Sequence, residues 1–344
     1  MNTHLCRAAA CAAALCLLSC VPVAAAATTT LVINEFLPQR HVFNAQVMKP
    51  WAQAVAHATD GRVKIVFPTT SIAAPQQLWE AVKHSVVDGA YLYNGNLQNQ
   101  LRLMQLVNLP LGSTSAERMS VALWRTYQQY FAAAGEYRDV QLLAVFVFPG
   151  GQIFGLKHPV NDRRDLDGVK TWALPGVATK LLRAAGAGVL STPAARISEI
   201  VAGGTVDAFA GIPEMDADAF KVIRYARSET VVPGALTAPG FSLVVNKAIW
   251  ASIAPGDRDI ILKLSGEAFA KRLGVIDRVN ERAKAAAQRA GLQVQPANAQ
   301  FVAQLRELAA PMDAAWLADA VRYGIDGQAA LSFYRSAARG DQHD

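Results

Sequence analysis

Beyond residue 20 the chain has no cysteine: all four, Cys6, Cys11, Cys16 and Cys20, fall in one N-terminal stretch. The rest of the chain therefore holds no disulfide, thiolate metal site or cysteine nucleophile, and must be stabilised by its core. Histidine is also scarce, with six scattered copies and no His-Glu-x-x-His spacing, which argues against a metal centre. A serine hydrolase elbow is missing. The nearest stretch, Gly240-Phe241-Ser242-Leu243-Val244, lacks the closing glycine. Gly186-Ala187-Gly188 lacks the third glycine of a dinucleotide loop and reads as a helix end. Net charge is only +6, and lysine and arginine occur singly or in short pairs such as Arg163-Arg164. No basic tract is interleaved with aromatics, so nucleic acid is not an expected partner. The expectation is a protein with no catalytic set, no cofactor and no metal. A periplasmic hydrolase whose site assembles only in three dimensions is the less favoured alternative.

What is present begins with a leader. Arg7 precedes an apolar run from Ala8 to Val23, and Ala24-Ala25-Ala26-Ala27 offers small residues for cleavage. Residues 1–26 read as a signal peptide, too short for a membrane anchor. Leu17-Leu18-Ser19-Cys20 offers a competing lipid attachment at Cys20, for which Leu18 is an unusual residue. The expected localisation is periplasmic. About 318 residues follow, enough for two domains, and none of their apolar runs is long enough to span a bilayer.

Two regions repeat one pattern. Residues 31–36 read as a strand, 44–59 as an amphipathic helix kinked at Pro50, 62–67 as a strand, 75–87 as a helix and 90–93 as a strand. Residues 169–173, 176–185, 188–191, 193–202 and the segment through Ala210 repeat the order strand, helix, strand, helix, strand. In each half Val-Asp followed by Gly or Ala leads into the last strand: Val87-Asp88-Gly89 and Val206-Asp207-Ala208. Such units build parallel sheets with right-handed crossovers, and two of them imply a cleft. A helix is expected over 113–134, with Thr114 and Glu117 as a capping box. A strand at 140–147 is expected to cross between lobes, a strand follows at 241–246, and a long helical stretch at 255–290 is placed to brace both lobes. A further helix is expected at 301–323.

The segment Asp165-Leu166-Asp167-Gly168-Val169-Lys170-Thr171-Trp172-Ala173-Leu174-Pro175 resembles the "DL-x-G-x-K-x-R-x-P" segment of TRAP-transporter solute-binding proteins, the DctP-like family. Asn34-Glu35-Phe36-Leu37-Pro38-Gln39-Arg40-His41 is similar to the family's first-strand block, Gly204-Thr205-Val206-Asp207 to its "G-x-V-D-G", and Pro239-Gly240-Phe241-Ser242 with Val245-Asn246-Lys247 to its "G-F-S…M-N-K" strand. The resemblance spans roughly residues 29–290. It implies an α/β, two-lobe periplasmic binding protein of the Venus-flytrap kind, each lobe a mostly parallel sheet flanked by helices. The first lobe is expected to comprise 27–150 and 240–270, and the second 151–239 and 271–344 with the C-terminal helices. It also implies a small-molecule ligand and a two-part, ion-driven TRAP-type membrane permease as partners; an ABC-type binding protein is the alternative within the binding class.

Departures from the family pattern shape the ligand expectation. Trp172 replaces the arginine that usually clamps a ligand carboxylate, Gly211 takes the place of a ligand-binding asparagine, and Gly151-Gln152-Ile153-Phe154-Gly155 replaces a polar stretch. A carboxylate enclosed without a bidentate partner loses several kcal/mol to desolvation. The expected ligand is therefore an apolar or aromatic organic acid stacked on Trp172. Phe36, Tyr93, Phe209 and Phe241 lie at strand ends facing the cleft; Glu35, Arg40, His41, Gln152, Gly211 and Glu214 are the remaining candidates. Arg40 is the candidate replacement cation. A neutral or amine-bearing solute caged by aromatics, Glu35 and Glu214 is the alternative.

Overall fold

The structure, a computed structural model, describes residues 28–340. The leader and the alternatives at Ala26 and Cys20 lie outside the described residues. The strands, in chain order, are β1 (Thr29–Asn34), β2 (Val63–Val66), β3 (Gly89–Tyr93), β4 (Val140–Val147), β5 (Ile153–Gly155), β6 (Lys170–Ala173), β7 (Gly188–Ser191), β8 (Ala208–Ala210), β9 (Ser228–Val231), β10 (Gly240–Asn246) and β11 (Gln293–Pro296). The helices are α1 (Lys49–Ala58), α2 (Leu78–Lys83), α3 (Ala116–Thr126), α4 (Val177–Ala184), α5 (Ile197–Ala202), α6 (Glu214–Ala219), α7 (Lys247–Ser252), α8 (Pro255–Leu264), α9 (Gly266–Lys271), α10 (Gly274–Arg289), α11 (Ala299–Arg322) and α12 (Gly327–Arg339).

These strands form two sheets, ordered β2-β1-β3-β10-β4 and β11-β9-β5-β8-β6-β7. Each is parallel except for one reversed strand: β10 runs against β3 and β4, and β5 against β8 and β9. Both reversed strands follow a passage from the other lobe. Their segments meet at a hinge, where the Gly151 N–H donates to the Thr237 carbonyl at 2.8 Å and the Leu236 N–H to the Gly151 carbonyl at 3.0 Å. The expected crossing strand at 140–147 thus stays within the first sheet, and residues 148–152 make the crossing.

Helix positions follow the apolar spacing, with local corrections. Val47, Trp51 and Val55 are fully buried as one face, but Pro50 starts α1 behind a π-helical turn at Asn44–Met48 instead of kinking a continuous helix. The cap of α3 is Ser115, not Thr114, and the Asp277 carboxylate accepts from the N–H groups of Ala116 (2.6 Å) and Glu117 (3.1 Å). That carboxylate belongs to α10, so it meets the positive end of α3. The expected long stretch at 255–290 is three helices, α8 to α10, broken around Ser265-Gly266 and Leu273. The longest helix among the described residues is α11: Phe301 and Leu305 sit in the core with Leu181 and Leu182 of the second lobe, while Trp316 sits with Leu103 of the first and donates its indole N–H to the Leu103 carbonyl. The last helix, α12, also goes to the first lobe, not the second as expected. Leu331 and Tyr334 are buried in one cluster with Met119 and Leu123 of α3.

Candidate functional site

The carboxyl ends of β1, β3, β6, β7 and β8 converge on the cleft, the usual ligand position in open α/β sheets. The loops that leave those ends build an enclosed cavity of about 50 Å³. Phe36, Leu37, Tyr93, Phe148 and Phe241 wall it from the first lobe; Leu174, Ile212 and Phe220 wall it from the second, together with Pro175 and Pro193-Ala194-Ala195. The polar side chains in the wall are Asn96, Asp216 and the Tyr93 hydroxyl, and no lysine or arginine lines it. Burial pushes the Tyr93 phenol well above its ordinary range, so it stays a neutral donor, giving its proton to the Pro175 carbonyl at 3.0 Å across the lobes. A 50 Å³ space holds a few waters, not a ring with its acid group, so the lobes must part to admit a solute.

A second chamber, of about 400 Å³, shares Phe36, Leu37, Pro38, Ala195 and Phe220 with the first and opens outward. Its wall adds Glu35, Arg40, Lys221 and the polar residues Ser71 and Ser198. Both Glu35 oxygens are buried without a hydrogen-bond partner. Burial pushes this carboxyl up to about 7, against the opposing pull of the Lys49 charge. The result is an apolar pocket that shares part of its wall with a chamber that carries charge.

Five of the residues expected from sequence take part in these walls: Phe36, Tyr93 and Phe241 in the inner cavity, Glu35 and Arg40 in the outer chamber. His41 lies just behind the inner wall, bonded to Asp216 at 2.9 Å. The other five are elsewhere. Trp172 has no exposed surface and is absent from both walls; its indole N–H donates to the Thr192 hydroxyl at 2.8 Å. It stands behind the Pro193-Ala194-Ala195 segment of the wall and is not placed to stack on a solute. Phe209, its register partner on β8, is likewise fully buried and stacks on Phe154 with centroids 4.6 Å apart. The Gln152 side-chain oxygen accepts from the Val232 N–H.

Glu214 is held by the Asn280 amide (2.8 Å) and faces Lys284 (3.6 Å), so it cannot cage an amine in the cleft. Glu229 lies beside it, with burial and then Glu214 raising its proton affinity. Gly211 has a packing role: a Cβ on Gly151 would run into the Gly211 backbone, and Gly211 itself has φ +81°. The two sequence departures at 151 and 211 thus face each other as a close backbone approach. The wall residues that sequence reasoning missed are mostly proline, alanine and leucine in the loops after strand ends. Their one available signal was that position.

Among known proteins, the sequence profile of bacterial extracellular solute-binding protein family 7 (DctP) matches residues 33–318. The chain is 43% identical over 323 residues to the outer membrane transporter protein TsaT of Comamonas testosteroni, covering 94% of this chain and 96% of that one. Its fold is similar to a TRAP periplasmic solute-binding protein from Bordetella bronchiseptica with bound (R)- and (S)-mandelate: TM-score 0.87, 27% identity, 91% of this chain and 100% of the other. A TRAP solute-binding protein from Rhodoferax ferrireducens in complex with copurified benzoate superimposes with a TM-score of 0.79 at 26% identity, covering 91% of this chain and 98% of that one.

Proposed function

The chain belongs to family 7 of the bacterial extracellular solute-binding proteins, and we propose that it captures an aromatic monocarboxylate between its lobes and delivers it to a TRAP-type permease. The observation that carries this reading is the wall of the inner cavity: aromatic and aliphatic on both lobes, with no basic side chain. A ring transferred there gains from area burial and from edge or stacking contacts with Phe36, Phe148, Phe220 and Phe241. A second carboxylate in the same space would meet Asp216 and no cation, at a cost of several kcal/mol. The single acid group points to the outer chamber, where Arg40 and Lys221 supply positive charge. The mandelate and benzoate held by the two similar structures are ligands of that kind.

In this reading the protein performs no chemistry; closure around the solute is the signal for the permease. Among the described residues no helix is long and apolar enough to cross a membrane. Thermal shift and calorimetry with benzoate, mandelate, succinate and benzylamine test the ligand. Benzoate or mandelate at a hundredfold excess over Kd stabilises by about 2.7 kcal/mol, and succinate and benzylamine leave the midpoint unchanged. A larger shift from succinate overturns the proposal. Uptake of the bound acid by membrane vesicles carrying a TRAP-type permease, with and without this protein added, tests the partner, and fractionation tests the compartment.

A further inference from the structure

His41 and Asp216 are 175 residues apart and belong to different lobes. His41 lies between β1 and α1, and Asp216 on α6. The His41 side chain has no exposed surface and that of Asp216 is 8% exposed. The Phe43 N–H donates to Nδ1 at 3.3 Å, which places the proton on Nε2. That Nε2–H donates to the Asp216 carboxylate at 2.9 Å. The imidazole also lies parallel to Phe148, with centroids 5.9 Å apart at 9°, and beside Phe220 at 6.4 Å. Phe148, Phe220 and Asp216 are all cavity wall, the first from one lobe and the others from the opposite one. The imidazole itself stands behind that wall, and parting the lobes separates it from its acceptor.

We propose that His41 is a positioning residue for ligand capture: its bond to Asp216 latches the closed cleft, and a solute packed against Phe148 and Phe220 sets the latch. This rests on the interlobe cavity being the site of an aromatic acid. The side-chain geometry fixes what a substitute must do. Glutamine can carry an N–H to the Nε2 position, whereas asparagine reaches only the Nδ1 position and can keep the contact with Phe43.

Stopped-flow binding of mandelate and benzoate, with small-angle scattering of the free and saturated protein, reads the latch. Wild type, His41→Asn, His41→Gln, Asp216→Ala and the double variant His41→Asn/Asp216→Ala are compared. Loss of one buried, charge-assisted bond speeds dissociation roughly tenfold to a hundredfold in His41→Asn, with association changed by no more than about threefold. His41→Gln restores slow dissociation, and the double variant releases ligand no faster than the faster single variant. A merely structural role would lower the melting midpoint of the free protein and leave dissociation alone. Dissociation in His41→Asn within about twofold of wild type overturns the latch while leaving the ligand reading intact. Failure of wild type to bind either acid overturns the ligand reading, and the latch with it.

Discussion

Replacing Thr192 by valine tests whether Trp172 supports the cavity wall or touches the solute. The change keeps the side chain's shape and deletes the hydroxyl that accepts the indole N–H at 2.8 Å. Trp172 has no exposed surface, so water cannot replace the lost acceptor, and a donor left buried and unpaired costs about 1–3 kcal/mol. For a chain of this size, at about 2.1 cal/mol/K of unfolding entropy per residue, each kcal/mol lowers the melting midpoint by about 1.5–2 °C. The expected drop is therefore on the order of 2–6 °C, read by calorimetry without ligand. Because Thr192 precedes Pro193, Ala194 and Ala195, which line the cavity, ligand affinity falls as well, by roughly tenfold at 1.4 kcal/mol. Trp172→Phe removes the donor instead, and a double-mutant cycle with Thr192→Val isolates a coupling of about 1 kcal/mol. If Trp172 were a stacking surface with its ring in the cleft, Thr192→Val would leave the stability within about 0.5 kcal/mol of wild type. That outcome would refute the buried, supporting role.

Further expectations follow from the buried groups and the hinge. Glu229, raised to about 8 by burial and by Glu214, keeps its proton when folded while the unfolded chain loses it near 4.5, so this residue's contribution to stability is greatest below about pH 4.5, declines from there to about pH 8, and is level above. Glu229→Gln therefore flattens the fall in melting midpoint expected of wild type between pH 5 and pH 9, and an unchanged slope would sink the assignment. Asp277→Ala strips α3 of carboxylate bonds to two N–H groups and to the Ser115 hydroxyl; urea unfolding shows a loss of about 2 kcal/mol, of which Asp277→Asn recovers part. Gly151→Ala drives a methyl into the Gly211 backbone and lowers stability by about 2–4 kcal/mol in the same assay; a loss under about 0.5 kcal/mol would show that the hinge has slack.

Much of the fold was legible because each lobe repeats a local pattern. Alternation in Val63 and Ile65, and the Val47, Trp51, Val55 face, follow from period alone. The reversed strands β5 and β10 were not legible as such, since a strand's direction depends on its neighbours and not on its own residues. The breaks between α8, α9 and α10 fall at Gly266 and Gly274, weak helix formers set in otherwise strongly helical sequence; such isolated glycines are tolerated in many helices, and tertiary contact sets the turns here: a Cβ on Gly266 would meet the Trp124 ring, and one on Gly274 the Glu117 carboxylate. Phe36, Tyr93 and Phe241 reach the cavity wall as expected of aromatics at strand ends that face the cleft. Trp172 was misplaced because matching it to the family's arginine gives a position along the chain, not the direction of a ring. The glycines at 151 and 211 looked like lost ligand contacts and are a backbone fit.

The docking of α12 on α3 makes the first lobe a body of high sequence separation. Its sheet takes β10 from beyond the second lobe, and its last core residues, Tyr334 and Ala338, arrive some 200 positions after the helix they cover. A chain emerging from its N-terminus can pair β5 to β9 of the second lobe before the first lobe has its final strand. The first lobe closes last, after the whole polypeptide is available, and loop closure of that length is slow. A protein truncated near residue 325 would leave the surface of α3 bare and the first lobe unfinished, with the second lobe's antiparallel and parallel pairings intact.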